Sequence, residues 1–262
     1  MKKTFLALAT CALLGVSSAS ASPIMWVHDS DGPLGTVDVA TGVATPIGQM
    51  AQVMTDIAFD PSGNLFGLTF GQLFSINSTT AAITLIGNHG IAGGNALVFG
   101  ADGTLYGAGN SSTNLFTINP GTGASAVVGN MGFASGGDLA FNGGNFYLAS
   151  GSSQLVRVNP VTGAGVLVGN FGVNNVFGLA TGDDGLLYAV AGTNVYTVNT
   201  ATGAATNPVN YAGTSLGDAF GQSFFTESGA AAVPEPGTWA LFGSGLVIAA
   251  WRHRQGRRRA RS

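Results

Sequence analysis

A unit of about forty residues, written about five times, governs what this chain can fold into. Its landmark is an aliphatic residue followed by Asp or Asn: Val37-Asp38, Ile76-Asn77, Ile118-Asn119, Val158-Asn159 and Val198-Asn199, at intervals of 39, 42, 40 and 40 residues. A turn follows each landmark, at Thr41-Gly42, Thr122-Gly123, Thr162-Gly163 and Thr202-Gly203, with Thr80-Ala81 in the second copy. Next comes a short apolar run ending in Gly48, Gly87, Gly129 or Gly169; Asn207-Pro208-Val209 departs from this pattern in the fifth copy. The unit continues through Ile57-Ala58-Phe59, Leu97-Val98-Phe99, Leu139-Ala140-Phe141 or Leu179-Ala180-Thr181 into a turn carrying Gly63, Gly103, Gly144 or Gly185. It ends on Leu65-Phe66, Leu105-Tyr106, Phe146-Tyr147 or Leu187-Tyr188. Each unit thus holds four short β-prone runs bounded by Gly, Asn, Asp or Thr, with no long helical period between the two ends of the chain.

This period predicts an all-β fold, a β-propeller of about five four-stranded blades, with six blades as the alternative. A β-solenoid competes, but its coils repeat at shorter intervals. Phe66, Tyr106, Tyr147 and Tyr188 are expected to fill equivalent places between blades, the tyrosines reaching a wet edge with their hydroxyls. Asp218-Ala219-Phe220 and Phe224-Phe225 are expected to form a last pair of strands that closes the ring on the first blade, with Ile24–His28 as one further strand. In texture the repeats resemble secreted propellers of the streptogramin-lyase-like and phytase-like groups, a resemblance that carries over no site residue.

The ends of the chain read as addresses. Lys2 and Lys3, the apolar stretch Phe5–Val16 and Ala19-Ser20-Ala21 make a secretory signal peptide, a helical leader over 1–21 cut by signal peptidase between Ala21 and Ser22. Cys11 leaves with it, so the mature chain has no thiol for a disulfide, a metal or catalysis. At the other end, Val233-Pro234-Glu235-Pro236 precedes an uncharged run, Thr238–Trp251, and then Arg252, Arg254, Arg257, Arg258, Arg259 and Arg261. The prolines keep Glu235 on a stiff, extended segment. As a helix the run reaches roughly 21 Å, short of the ~30 Å hydrocarbon core, and flanking Trp and Arg side chains make up part of the difference. The arginines predict a cytoplasmic C-terminus.

Residues 233–262 resemble the PEP-CTERM sorting signal of Gram-negative bacteria. The resemblance implies recognition of Pro234, Glu235 and Pro236 by an exosortase, with the six arginines as the stop, and removal of the tail. It divides the chain into a leader (1–21), a repeat domain (22–230) and a sorting tail (231–262). It further implies transient membrane association through the tail, delivery to the cell surface or beyond, and, by association, an exopolysaccharide or biofilm role.

Without its two ends the chain is acidic: eleven acids stand against Arg157 alone in residues 22–232, a net −10. Nucleic acid is not an expected partner; a polysaccharide or a surface protein is. Candidate chemistry is sparse. His28 and His89 lie far apart in the repeats, Glu227 is the single glutamate of this segment, and no H-E-x-x-H motif occurs. Asp29-Ser30-Asp31-Gly32 opens like a calcium loop, but Pro33, Leu34 and Ala40 break the spacing. Asp60, Asp102 and Asp183-Asp184 stand beside turn glycines, where Asp caps backbone amides. No cofactor is expected, calcium being the candidate considered. Arg157 fills the slot held by Thr36, Ser75, Thr117 and Thr197, a solvated strand position. Two function classes follow: a non-enzymatic binding or scaffold protein of the surface or matrix, and a secreted propeller enzyme, a lyase or metal-dependent hydrolase.

Overall fold

In the computed structural model, which describes residues 22–213 and 216–228, every landmark Asp or Asn caps a turn. The Oδ1 atoms of Asp38, Asn77, Asn119, Asn159 and Asn199 each accept hydrogen bonds from the second and third following amides at 2.8–3.1 Å. Their main-chain carbonyls accept the amide of the residue four on, Gly42, Ala81, Gly123, Gly163 or Gly203, each at 2.8 Å. That residue has φ between 60° and 81°, which glycine adopts freely and an L residue does not. This is why the turn is written Thr-Gly, and Ala81 is the exception that bears the strain.

Twenty strands form five four-stranded antiparallel sheets. The first blade contains β1 (Ile24–Asp29), β2 (Pro33–Asp38) and β3 (Ala44–Gln49). The second runs β4 (Asp56–Phe59), β5 (Leu65–Leu68), β6 (Gln72–Ile76), β7 (Ile83–Asn88), and the third β8 (Gly94–Phe99), β9 (Leu105–Gly109), β10 (Asn114–Ile118), β11 (Ser125–Asn130). The fourth is β12 (Ser135–Asn142), β13 (Asn145–Ser150), β14 (Gln154–Val158), β15 (Gly165–Asn170), and the fifth β16 (Val176–Thr181), β17 (Leu187–Ala191), β18 (Asn194–Val198), β19 (Ala205–Asn210). The final strand, β20 (Ala219–Phe224), pairs with β1 to complete the first blade in the order β20-β1-β2-β3. The strands β4, β8, β12, β16 and β20 line the axis, and β20 packs beside β4 to close the ring.

The expected closing pair is therefore one strand. Ala219 to Phe224 runs through Gly221 without a turn, and β1 already holds the second place in the sheet, with Met25 opposite Phe224 and Asp29 opposite Ala219. Residues 225–228 form a turn beyond it.

Five apolar clusters fill the gaps between neighbouring blades. The aromatics do occupy equivalent places, and each meets the next inner strand: Phe66 lies 5.1 Å from Phe99, Tyr106 5.8 Å from Phe141 and Tyr188 5.4 Å from Phe224 between ring centroids. Trp26 repeats the arrangement in the first blade, 5.0 Å from Phe59. Tyr147 joins the gap between the fourth and fifth blades. Burying one such side chain contributes on the order of 1.5–3 kcal/mol.

A second joint runs round the rim. A Cβ on Gly48, Gly87, Gly129 or Gly169 would meet the carbonyl of Thr80, Thr122, Thr162 or Thr202 in the next blade. The glycine ending each outer strand thus makes room for the next blade's turn. In the divergent fifth copy Val209 holds the outer-strand place, and only the turn glycine makes room: Gly42 faces the carbonyl of Asn210.

The expected leader helix, including Ala19 and Ala21, lies outside the described residues. So do the tail helix, Pro234, Glu235, Pro236, Arg252, Arg254, Arg257, Arg258, Arg259 and Arg261. Among the described residues there is no helix, and hence none long and apolar enough to cross a membrane. Ser22 is described: its hydroxyl donates to Asp38 Oδ1 at 2.8 Å.

Candidate functional site: the axial mouth and the acids beneath it

The inner strands align as a ring of five equivalent positions. Thr55, Asn95, Gly137, Phe177 and Phe220 occupy one level, and all five line a cavity of about 560 Å³ at one end of the axis. The connector before β4 adds Val53 and Met54, and the start of β12 adds Ser135 and Gly136; loops between second and third strands add Thr69, Phe70, Asn110 and Gly151. The wall is apolar and aromatic. Phe70 is 60% and Val53 42% exposed, and Phe177 meets Phe220 edge to face at 5.9 Å. No Asp, Glu, His, Lys, Arg or Cys is among these lining residues.

The polar groups at the mouth differ in how they are held. Thr55 Oγ1 donates to the carbonyls of Leu68 and Gly94 at 3.1 and 2.9 Å. Ser135 Oγ accepts the Gly137 amide at 3.1 Å. Asn95 is 7% exposed, and its Oδ1 is buried with no hydrogen-bond partner.

One residue further along, the ring reads Asp56, Ala96, Asp138, Gly178, Gly221. Inner strands have a free edge towards the axis, and its amides need acceptors. Asp56 supplies them to its own blade and the next, Oδ1 to the Ile57 amide at 2.8 Å and Oδ2 to the Leu97 amide at 2.6 Å. Asp138 does the same two blades on, for Leu139 at 2.6 Å and Leu179 at 2.7 Å. The two carboxyl groups also act on each other electrostatically. Burial raises both well above the usual carboxylate range, and at Asp138 the charge on Asp56 adds to this.

Glu227 belongs to the same axis. Its Oε2 accepts the Ser223 hydroxyl at 3.1 Å and its Oε1 the Thr181 amide at 3.4 Å. Desolvation pushes it up to about 8. Ser223 Oγ in turn accepts the Phe59 amide at 3.3 Å. His28 is fully buried with neither ring nitrogen hydrogen-bonded, and burial depresses it to about 3, the nearby Asp29 backbone opposing this weakly. Its Nε2 and Asp56 Oδ1 both border the space where a Cβ on Gly221 would stand.

Of the residues singled out in the sequence, His28 and Glu227 reach this axis, whereas His89 does not. His89 packs in the connector after β7, Nδ1 accepting the Ile91 amide and Nε2 facing the Thr69 carbonyl, both at 3.0 Å. Asp60, Asp102 and Asp184 cap turns, accepting the amides of Ser62 and Asn64, of Thr104, and of Leu186. Asp184 also accepts the Tyr188 hydroxyl at 2.7 Å, and Arg157 is exposed on its strand. Asp29 binds the amides of Asp31 and Gly217.

Sequence reasoning missed Asp56 and Asp138; the available signal was an acid at the same repeat position in two blades. It also missed a G-x-S-x-G spacing, Gly213-Thr214-Ser215-Leu216-Gly217. Thr214 and Ser215 lie outside the described residues, and the segment leads into β20 rather than into the helix a nucleophile elbow requires. Among the described residues, no three His, Cys, Asp or Glu side chains are grouped to hold a metal ion.

One solved structure with a TM-score above 0.5 agrees on the fold. A chain of a nidogen/laminin complex matches with a TM-score of 0.54 at 14% identity, over 77% of this chain and 80% of that one. A symmetrical protein from work on de novo evolutionary emergence under folding constraints matches with a TM-score of 0.49 at 17% identity, over 78% and 95%. A Bacteroides caccae protein of unknown function matches with 0.47 at 15%, over 75% and 77%. No curated protein matches the chain. Residues 232–255 match the model of the PEP-CTERM protein-sorting motif. The chain is a five-bladed β-propeller that carries a PEP-CTERM sorting motif, the mark of an exported protein handled by an exosortase-type system.

Proposed function

We propose that the mature protein is a non-enzymatic binding module of the cell surface or extracellular matrix, with the axial mouth as its binding site. The observation that carries this is the separation of shape from chemistry. The concave site is lined without an acid, a base or a thiol, and the nearby carboxylates are engaged with backbone amides. A general acid or base needs a free proton site within reach of its substrate; a binding pocket needs apolar walls and a few polar groups. In this reading the tail is a removable label, recognised at Pro234, Glu235 and Pro236.

The exported mature protein, incubated with the extracellular polymer and proteins of the producing cells, tests this. Retention of a partner that is released chemically unchanged, and is weakened by Phe177→Ala, is the expected result. Turnover of any component, abolished by Asp138→Asn or Glu227→Gln, would replace this reading with that of a secreted enzyme.

A further inference from the structure

The mouth says more about its ligand than that one binds. Its walls are Phe70, Phe177, Phe220, Val53 and Met54, and nothing charged lines them. An ion would lose its hydration here without a counter-charge. A polysaccharide segment is a poorer match, because sugar hydroxyls need several polar partners, and the side-chain oxygens of Thr55, Thr69, Asn110 and Ser135 are already engaged within the protein. The exposed Phe70 ring and the edge-to-face Phe177–Phe220 pair offer flat faces for a ring to stack against.

The Asn95 amide supplies the remaining constraint. It stands at the cavity, more than nine-tenths buried; its Oδ1 is enclosed without a partner, and its Nδ2 makes no hydrogen bond with the described residues, which leaves the NH2 group to donate. A ligand oxygen at the cavity would accept from this NH2 group. The cavity of about 560 Å³ is within the ordinary range for a small molecule or one large side chain of a partner.

We infer that the mouth takes an uncharged, largely apolar ring-bearing group with one carbonyl or hydroxyl oxygen, stacked on Phe70, Phe177 and Phe220 and hydrogen-bonded by Asn95. The inference rests on the binding reading above and names the chemistry of its ligand.

Prodan, a neutral naphthalene with a single carbonyl, is a suitable probe for fluorescence titration of the exported mature protein. The expected result is saturable, blue-shifted emission that weakens about tenfold or more in Phe177→Ala and in Phe70→Ser, and several-fold in Asn95→Leu. Phe70 is largely exposed, so its variant keeps the test valid if Phe177→Ala fails to fold. Val161→Ala, at a residue 82% exposed in a rim turn, leaves binding unchanged. Non-saturable emission, or equal binding by wild type and Phe70→Ser, overturns the inference. So does binding of a neutral dextran that Phe70→Ser weakens and Prodan does not displace; that outcome would leave the binding reading standing with a sugar as ligand. Turnover at the mouth would remove both.

Discussion

Asp138 illustrates how much one residue carries at the axis. Its carboxyl group accepts the amides of Leu139 and Leu179 and so ties the fourth blade to the fifth. Asp138→Ala leaves both amides buried without acceptors, at about 1–3 kcal/mol each. Removing the exposed turn cap Asp102 is expected to cost nearer ~1 kcal/mol, and urea unfolding of the two variants checks the contrast. Glu227 and His28 make stability depend on pH in opposite senses. Glu227, raised to about 8, holds its proton more tightly when folded, so its contribution is complete below the ordinary carboxyl value and lost as pH rises to about 8. His28, lowered to about 3, resists protonation, so stability falls as pH drops below its ordinary value near 6.5. The two slopes oppose each other between about pH 4.5 and 6.5, and above that only the acids act. Urea midpoints should fall from pH 6.5 to 9 in wild type, and less steeply in Glu227→Gln. An identical slope in that variant would show that Glu227 titrates normally.

At the scale of the element, the blade joint explains the repeat. The turn glycines and the outer-strand glycines are two halves of one contact, which is why both recur in the sequence. Gly163→Ala forces a left-handed L residue and a clash with Gly129, and is expected to cost at least about 1–2 kcal/mol. Ala81→Gly relieves similar strain but gives up a buried methyl of roughly 0.8 kcal/mol, so its thermal midpoint should move little. Strand number, blade number and the aromatic places were legible because packing repeats them in every copy. The closing strand was only half legible, since Gly221 and the paired phenylalanines imitate a turn between two strands. The mouth was not legible at all. Its ring of Thr55, Asn95, Gly137, Phe177 and Phe220 holds four residue types in five blades, because it faces a cavity instead of a neighbouring blade. Asp56 and Asp138 were obscured for another reason: an acid before an apolar strand reads as a turn residue, and only the closed ring shows that it caps the next blade.

The whole molecule has two unlike ends. Connectors that enter the inner strands surround the mouth, whereas β1 begins and β20 finishes at the opposite end of the axis, where Phe225 packs against Gly63. Ser228, the last residue described before the tail, therefore lies at the end away from the cavity. Processing and binding should be independent: Phe70→Ser should not change the mass of the exported product. The acidity is also less external than the composition suggests, because Glu227, raised to about 8, and the buried Asp56 and Asp138, both raised well above the usual carboxylate range, lie inside the ring. Release of the exported propeller from its sorting tail is tested most directly by the intact mass of the cell-surface product. A chain beginning at Ser22 and lacking Arg252–Arg261, with the tail retained in Glu235→Ala, is the predicted result. A product that keeps the six tail arginines in wild type and variant alike would contradict it.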